Sequence, residues 1–152
     1  MSLSETQSTK LAGPEGDTTV VTTDYAKGMA VEIRHLHLSS RDHAASQQFY
    51  ENYFGFRFDS VFPREGEAAA TILRSPGGFQ LFLEGGSADR LPPWFHFGFF
   101  VESVDACREL HQRMQQDQVR IVHPFVTEPF AYYFFADPDG HVAQVYFDPK
   151  AR

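Results

Sequence analysis

The chain has 152 residues, 42% hydrophobic and 22% charged, which fits one domain or two small units sharing a sizeable core. Thirteen Lys and Arg against 20 Asp and Glu give a net charge of −7, which argues against a nucleic-acid partner and is compatible with a cationic ligand. The lone Cys107 excludes an internal disulfide framework and any zinc site that needs several thiolates. The longest apolar run, Phe95–Val101, falls far short of the ~20 residues of a membrane helix. The N-terminus has no basic-then-apolar signal pattern, so the expectation is a cytoplasmic protein without a membrane partner. Sixteen Phe, six Tyr and one Trp supply enough aromatic surface for a core and an aromatic-lined cavity.

Residues 1–29 are rich in Ser, Thr, Gly and Asp and are expected to form a flexible leader, in which Thr18–Thr23 is β-prone enough to dock as an extra edge strand. From Glu32 to Ser39 polar and apolar residues alternate, placing His35 and His37 on one face of a strand and Leu36 and Leu38 on the other. A helix over about 42–53 follows, capped by Ser40 or Asp42 and ended by Gly55. Strands are expected at Phe56–Phe62, Ala68–Arg74 and Phe79–Glu84, the last two joined by a Pro76-Gly77-Gly78 turn. Gly85–Pro93 reads as a linker.

The order then repeats. Trp94–Val101 is a strand, Ser103 caps a helix over about 104–117, and Val119–His123, Ala131–Phe135 and His141–Phe147 are strands. Pro124–Pro129 is expected to be loop, and Phe125–Phe130 could act as a lid. His35 and His96 open the two halves, and Gln80–Glu84 echoes Gln144–Asp148 after a Gly-ended turn. A period of 61–64 residues across about 32–148 points to an internally duplicated unit. The fold class is α+β: two βαβββ modules, 31–86 and 94–148, related by a pseudo-twofold within one domain of residues 30–150, with curled sheets around a shared cleft.

The segments Ile33–Leu38, Phe49–Phe56, His96–Asp105 and Asp137–Gln144 carry a resemblance to the vicinal oxygen chelate superfamily, which includes glyoxalase I, extradiol dioxygenases, fosfomycin resistance enzymes and bleomycin resistance proteins. It spans about residues 31–148. The resemblance implies metal positions at His35, Gln80, His96 and Gln144, a small-molecule ligand, and a homodimer. Any ion there would be a divalent metal such as Zn, Ni, Fe or Mn. Gln144 stands where metal-using relatives usually place Glu; an amide is a neutral, weaker donor, and His and Gln can instead satisfy each other by hydrogen bonds. By strand parity His37, Phe82, Glu84, Trp94, Phe100, Tyr132, Phe134 and Tyr146 are candidate ligand-binding residues, with Glu84 or Asp148 meeting positive charge. The expected function is binding or processing of a small aromatic or cationic molecule in an aromatic-lined cleft. Alternatives are a metal-dependent lyase or dioxygenase using His35 and His96, and a metal-free isomerase with a histidine base.

Overall fold

The computed structural model describes residues 7–12, 18–23, 32–86, 91–92 and 94–151. Residues 1–33 form one unit and residues 34–152 another. In the first, β1 (Gln7–Ala12) and β2 (Thr18–Thr23) pair antiparallel as a separate two-stranded sheet. The β-prone Thr18–Thr23 is therefore a strand, but its partner is Gln7–Ala12. The rest of the leader, and part of the 85–93 linker, lie outside the described residues.

The second unit holds two βαβββ modules. The first comprises β3 (His35–Ser40), α1 (His43–Phe54), β4 (Arg57–Phe62), β5 (Ala70–Arg74) and β6 (Gln80–Gly85). The second comprises β7 (Phe97–Phe100), α2 (Val104–Gln116), β8 (Ile121–Val126), β9 (Ala131–Ala136) and β10 (Val142–Phe147). Each gives a four-stranded mixed sheet of the same order, β3-β6-β5-β4 and β7-β10-β9-β8, with the first and last strands parallel. Both helices start as the sequence predicts: the side chains of Asp42 and Ser103 accept from the backbone N–H groups of Ala45 and Ala106. Gly55 closes α1 in the left-handed region, at φ 68.

Two boundary differences bear on the site. β8 runs on to Val126 and takes in Pro124, because it is a sheet edge and two register shifts absorb the missing donor. Phe125 therefore packs against the core of the second module and is not part of a lid. β7 is shorter than expected, so His96 sits just before the strand.

One face of each sheet is apolar and buried. Leu38, Leu81 and Leu83 pack under Tyr50 and Phe56, while Ala143, Val145, Tyr133 and Phe135 pack with Cys107 and Met114 of α2. Cys107 is fully buried and its thiol is pushed up to about 11 by desolvation, which leaves it the inert packing residue expected. These two clusters meet through aromatics: Phe54 of α1 stacks on Phe99 of β7 with centroids 3.7 Å apart, and Phe49 packs against Phe135.

A polar contact fixes the same junction. The Asp137–Gly140 turn before β10 lies against α1 and β3. Tyr50 donates from its hydroxyl to Asp137 at 2.7 Å, Ser46 donates to Asp139 at 3.0 Å, and His141 Nε2 donates to the Ser39 carbonyl at 2.7 Å. Tyr50 is fully buried, so Tyr50→Phe leaves Asp137 short of a donor. The expected loss is about 1.5–3 kcal/mol, read as a lower urea midpoint at unchanged slope.

Candidate functional site: the open faces of the two sheets

Because side chains alternate along a strand, the faces opposite the two cores carry the polar and aromatic residues. On the first sheet the ladder sets His35 opposite Gln80, His37 opposite Phe82 and Ser39 opposite Glu84. Ile72 flanks Phe82 on the other side. On the second sheet, Gly98, Gln144 and Phe134 form one row and Phe100, Tyr146 and Tyr132 the next.

These ladders revise the repeat. Gly78 and Gly140 both end their turns with positive φ, 87 and 91, and the strands that follow are in equivalent register. Phe82 and Gln144 are each four residues beyond their glycine. Phe82 pairs with His37, and Gln144 pairs with Gly98, two residues after His35 and His96 respectively. The structural counterpart of Gln144 is thus Phe82, and that of Gln80 is Val142. The sequence echo of Gln80 with Gln144 is offset by two residues, a slip that leaves every side chain on the same face and so escapes parity.

The first open face is organised around Glu84. His37 Nδ1 donates to its carboxylate at 2.5 Å, and Arg64, from the turn after β4, donates through both Nε and Nη2. Arg64 holds the Glu84 carboxyl below the ordinary range; burial opposes this and the His37 contact adds to it. The His37 ring lies parallel to Phe82 with centroids 4.3 Å apart, and His35 meets it edge-on at 5.3 Å. Arg64 also covers Phe62, 4.8 Å from its centroid. Glu84, expected from the sequence to meet positive charge on a ligand, is here paired with two side chains of its own chain. Arg64 had no sequence signal beyond being a basic residue in a turn.

The second open face is aromatic. His96 meets Phe134 edge-on at 4.8 Å and donates from Nδ1 to the Trp94 carbonyl, leaving Nε2 as its acceptor. Tyr132 lies between His123, Phe130 and Phe134. Phe100 meets Tyr146 at 5.6 Å, and both Phe100 and Trp94 are exposed. Gly98 was missed as a site residue, yet a Cβ there would come within 2.9 Å of the Tyr146 ring. Its missing side chain is what lets that ring lie down over β7. His123 joins this face because β8 runs past it to Val126, and its ring stacks on Tyr132.

The two open faces point away from the core that joins the modules, since Leu36 and Leu38 of β3, and Phe97 and Phe99 of β7, occupy the core sides. An apolar cavity of about 420 Å³ lies at that junction, lined by Leu36, Phe54, Phe56, Leu81, Phe97 and Phe99 among others, with no ionisable group except Tyr53. It offers packing space and no set of reacting groups.

The four implied metal positions, His35, Gln80, His96 and Gln144, supply two imidazoles and two amides; the position equivalent to Gln144 is Phe82, and Glu84 is already bound twice. Among the described residues, no three His, Cys, Asp or Glu side chains form a metal-holding group. Two imidazoles and a carboxylate make the usual ferrous set, and the four candidate donors here are all neutral. The residues present do not fit a metal of that kind.

The fold has known relatives. Residues 32–145 match the family model described as the Glyoxalase/Bleomycin resistance protein/Dioxygenase superfamily. The chain belongs to that superfamily. It is similar to the structure of a possible glyoxalase from Bacillus cereus, with 29% identity and TM-score 0.63 over 77% of this chain and 99% of that one. It shares its fold with the fosfomycin resistance protein FosX from Listeria monocytogenes (17% identity, TM-score 0.66, covering 80% and 97%). It also shares it with the trypanothione-dependent glyoxalase I of Leishmania major (21%, 0.62, covering 78% and 87%). A variant of the Listeria protein is complexed with Mn(II). No curated protein sequence matches the chain. Among the described residues, no helix is long and apolar enough to cross a membrane.

The Glu84 cluster makes a pH prediction. Its folded value lies below the ordinary 4.5, so the stabilisation it brings is complete above about 4.5 and is lost as the pH falls through the lower folded value. The difference in Tm between wild type and Glu84→Gln is expected to narrow between pH 7 and pH 3, beginning below about 4.5. A difference that stays constant over that range would show that ionisation of Glu84 is not its source.

Proposed function

We propose that the protein binds a small planar aromatic molecule between two open sheet faces, the first module's from one protomer and the second module's from its partner in a homodimer. The observation that carries this reading is the pair of uncovered faces, each bearing an imidazole among aromatic rings on the side turned away from its own core. Single-chain exposure supports a second copy: Val61, Phe62, Phe100 and Val122 are all large, apolar and exposed. Within the cleft, Phe82, Tyr132, Phe134 and Tyr146 would stack the ligand, Phe100 and Trp94 would line its mouth, and His35, His96 and Gln144 would orient its polar atoms.

A neutral or acidic ligand is favoured over a cation, because Glu84 is held by Arg64 and His37. A lyase or dioxygenase reaction on a bound metal ion is disfavoured by the absence of a free carboxylate from the donor set. A superfamily fold hosts many activities, so the site chemistry is the weightier guide.

Two measurements check the proposal. Light scattering should give twice the 17.3 kDa chain mass. Titration with planar phenols and heteroaromatics should quench Trp94, with Phe134→Ala weakening binding about tenfold, the equivalent of roughly 1.4 kcal/mol of stacking. A monomer in solution, or a flat Trp94 response across such a series, would sink it. Zn, Ni, Fe(II) and Mn are expected to leave both the melting temperature and ligand affinity unchanged.

A further inference from the structure

We propose that the cavity between the two modules is a second binding site, for an uncharged apolar molecule that carries one acceptor oxygen, a ketone or alcohol by class. It is separate from the imidazole-bearing faces. A molecule held there is bound and not transformed, since no reacting group lines it.

The place of the cavity follows from the sheet order. Among the described residues, β3 and β7 are inner edge strands that pair only with β6 and β10. Leu36 of β3 and Phe97 and Phe99 of β7 line the cavity, so it occupies the gap beside two unpaired edges. The other walls also come from both modules: Tyr53 of α1 and the turn before β6 in the first, Leu110 of α2 in the second.

Three observations select the ligand. First, a volume of about 420 Å³ lies within the range of small-molecule sites, roughly 300–1,000 Å³. Second, the walls are preformed. Phe54 stacks on Phe99 at 3.7 Å, the Tyr53 hydroxyl donates to Asp117 at 2.6 Å, and Arg113 lies over the Tyr53 ring at 4.9 Å. Third, among the described residues the lining has no charged side chain. The Tyr53 phenol stays neutral at pH 7, pushed up to about 12 by burial and by its bond to Asp117. A charged ligand would lose its hydration here and meet no counter-charge. The polar handle is Ser75. Its Oγ accepts from the Phe79 N–H at 3.0 Å, and its own O–H goes to no described residue, so it can donate to a ligand oxygen.

The test uses the intact chain and Prodan, a neutral naphthyl ketone whose emission moves to the blue in apolar surroundings and to the red when its carbonyl accepts a hydrogen bond. Wild type is expected to bind it at micromolar concentration with blue-shifted emission. Leu110→Trp and Val101→Phe, which fill the cavity, should each weaken binding about tenfold while circular dichroism shows the fold retained. Ser75→Ala should weaken it about threefold to tenfold and move the emission further to the blue, and Ser75→Thr should restore both. A measurement without variants reads the charge preference. Decylammonium, which the net charge of −7 would favour at an unspecific site, should displace Prodan about tenfold more weakly than 1-decanol. Equal displacement by the two, affinity retained in both filled variants, or an emission unchanged in Ser75→Ala overturns the proposal. Loss of Prodan in Phe134→Ala with none in the filled variants assigns the probe to the open faces: it overturns the cavity site and leaves the open-face reading standing. Failure of Prodan to bind wild type at its solubility limit overturns the cavity site alone.

Discussion

The placement of the site depends on how the Asp137–Gly140 turn is seated. Asp137 is buried, and burial pushes its carboxyl up; it is held there by the Tyr50 hydroxyl and by the backbone N–H groups of Asp139 and His141. Asp139 lies lower than an ordinary carboxyl despite partial burial, because the Arg41 backbone N–H and the hydroxyls of Ser40 and Ser46 surround it. Buried carboxylates without such donors would be costly, so this turn can sit in one place only. That place joins the second module to α1 and β3 of the first, and brings Phe54 onto Phe99. The apolar sides of both sheets are then used up in joining the modules, and the imidazole-bearing sides are left uncovered.

Uncovered faces of this kind dictate the chemistry available to one chain. Neither His35 nor His96 belongs to the aromatic junction inside the protomer, and the proposed cleft draws its second wall from a second copy. The residues on the two walls also differ more than the repeat suggests. The first face is built on a carboxylate bound by an arginine and a histidine; the second is built on stacked rings over a glycine. An asymmetric pair of walls suits a ligand with one flat, apolar side and one acidic, polar end.

Membership of the superfamily brings a fold whose relatives include a protein complexed with Mn(II), and the side chains at the candidate positions here are two imidazoles and two amides. Phe82 fills the place equivalent to Gln144. Glu84, one row further along, is drawn away by Arg64. An imidazole held by a carboxylate stands beside these positions. A shared scaffold can carry different side-chain chemistry, which is what separates a fold from a function.

The duplicated βαβββ order, both helix caps, the αL glycine after α1 and the open-face parity of His35, His37, Phe82, Glu84, Gln144 and Tyr146 could all be read from the chain, because period, capping and alternation are local properties. Three things could not. The two-residue offset of Gln80 from Gln144 was invisible because a slip of two preserves the face. The capture of Glu84 by Arg64 was invisible because the two residues are 20 positions apart and meet only once β4, β5 and β6 have formed. The direction of the two open faces was decided by the Asp137 turn docking on Tyr50, a contact 87 residues long in sequence. Local pattern fixes which side of a strand a residue takes; which neighbour waits on that side is set by long-range packing, and only the folded chain supplies it.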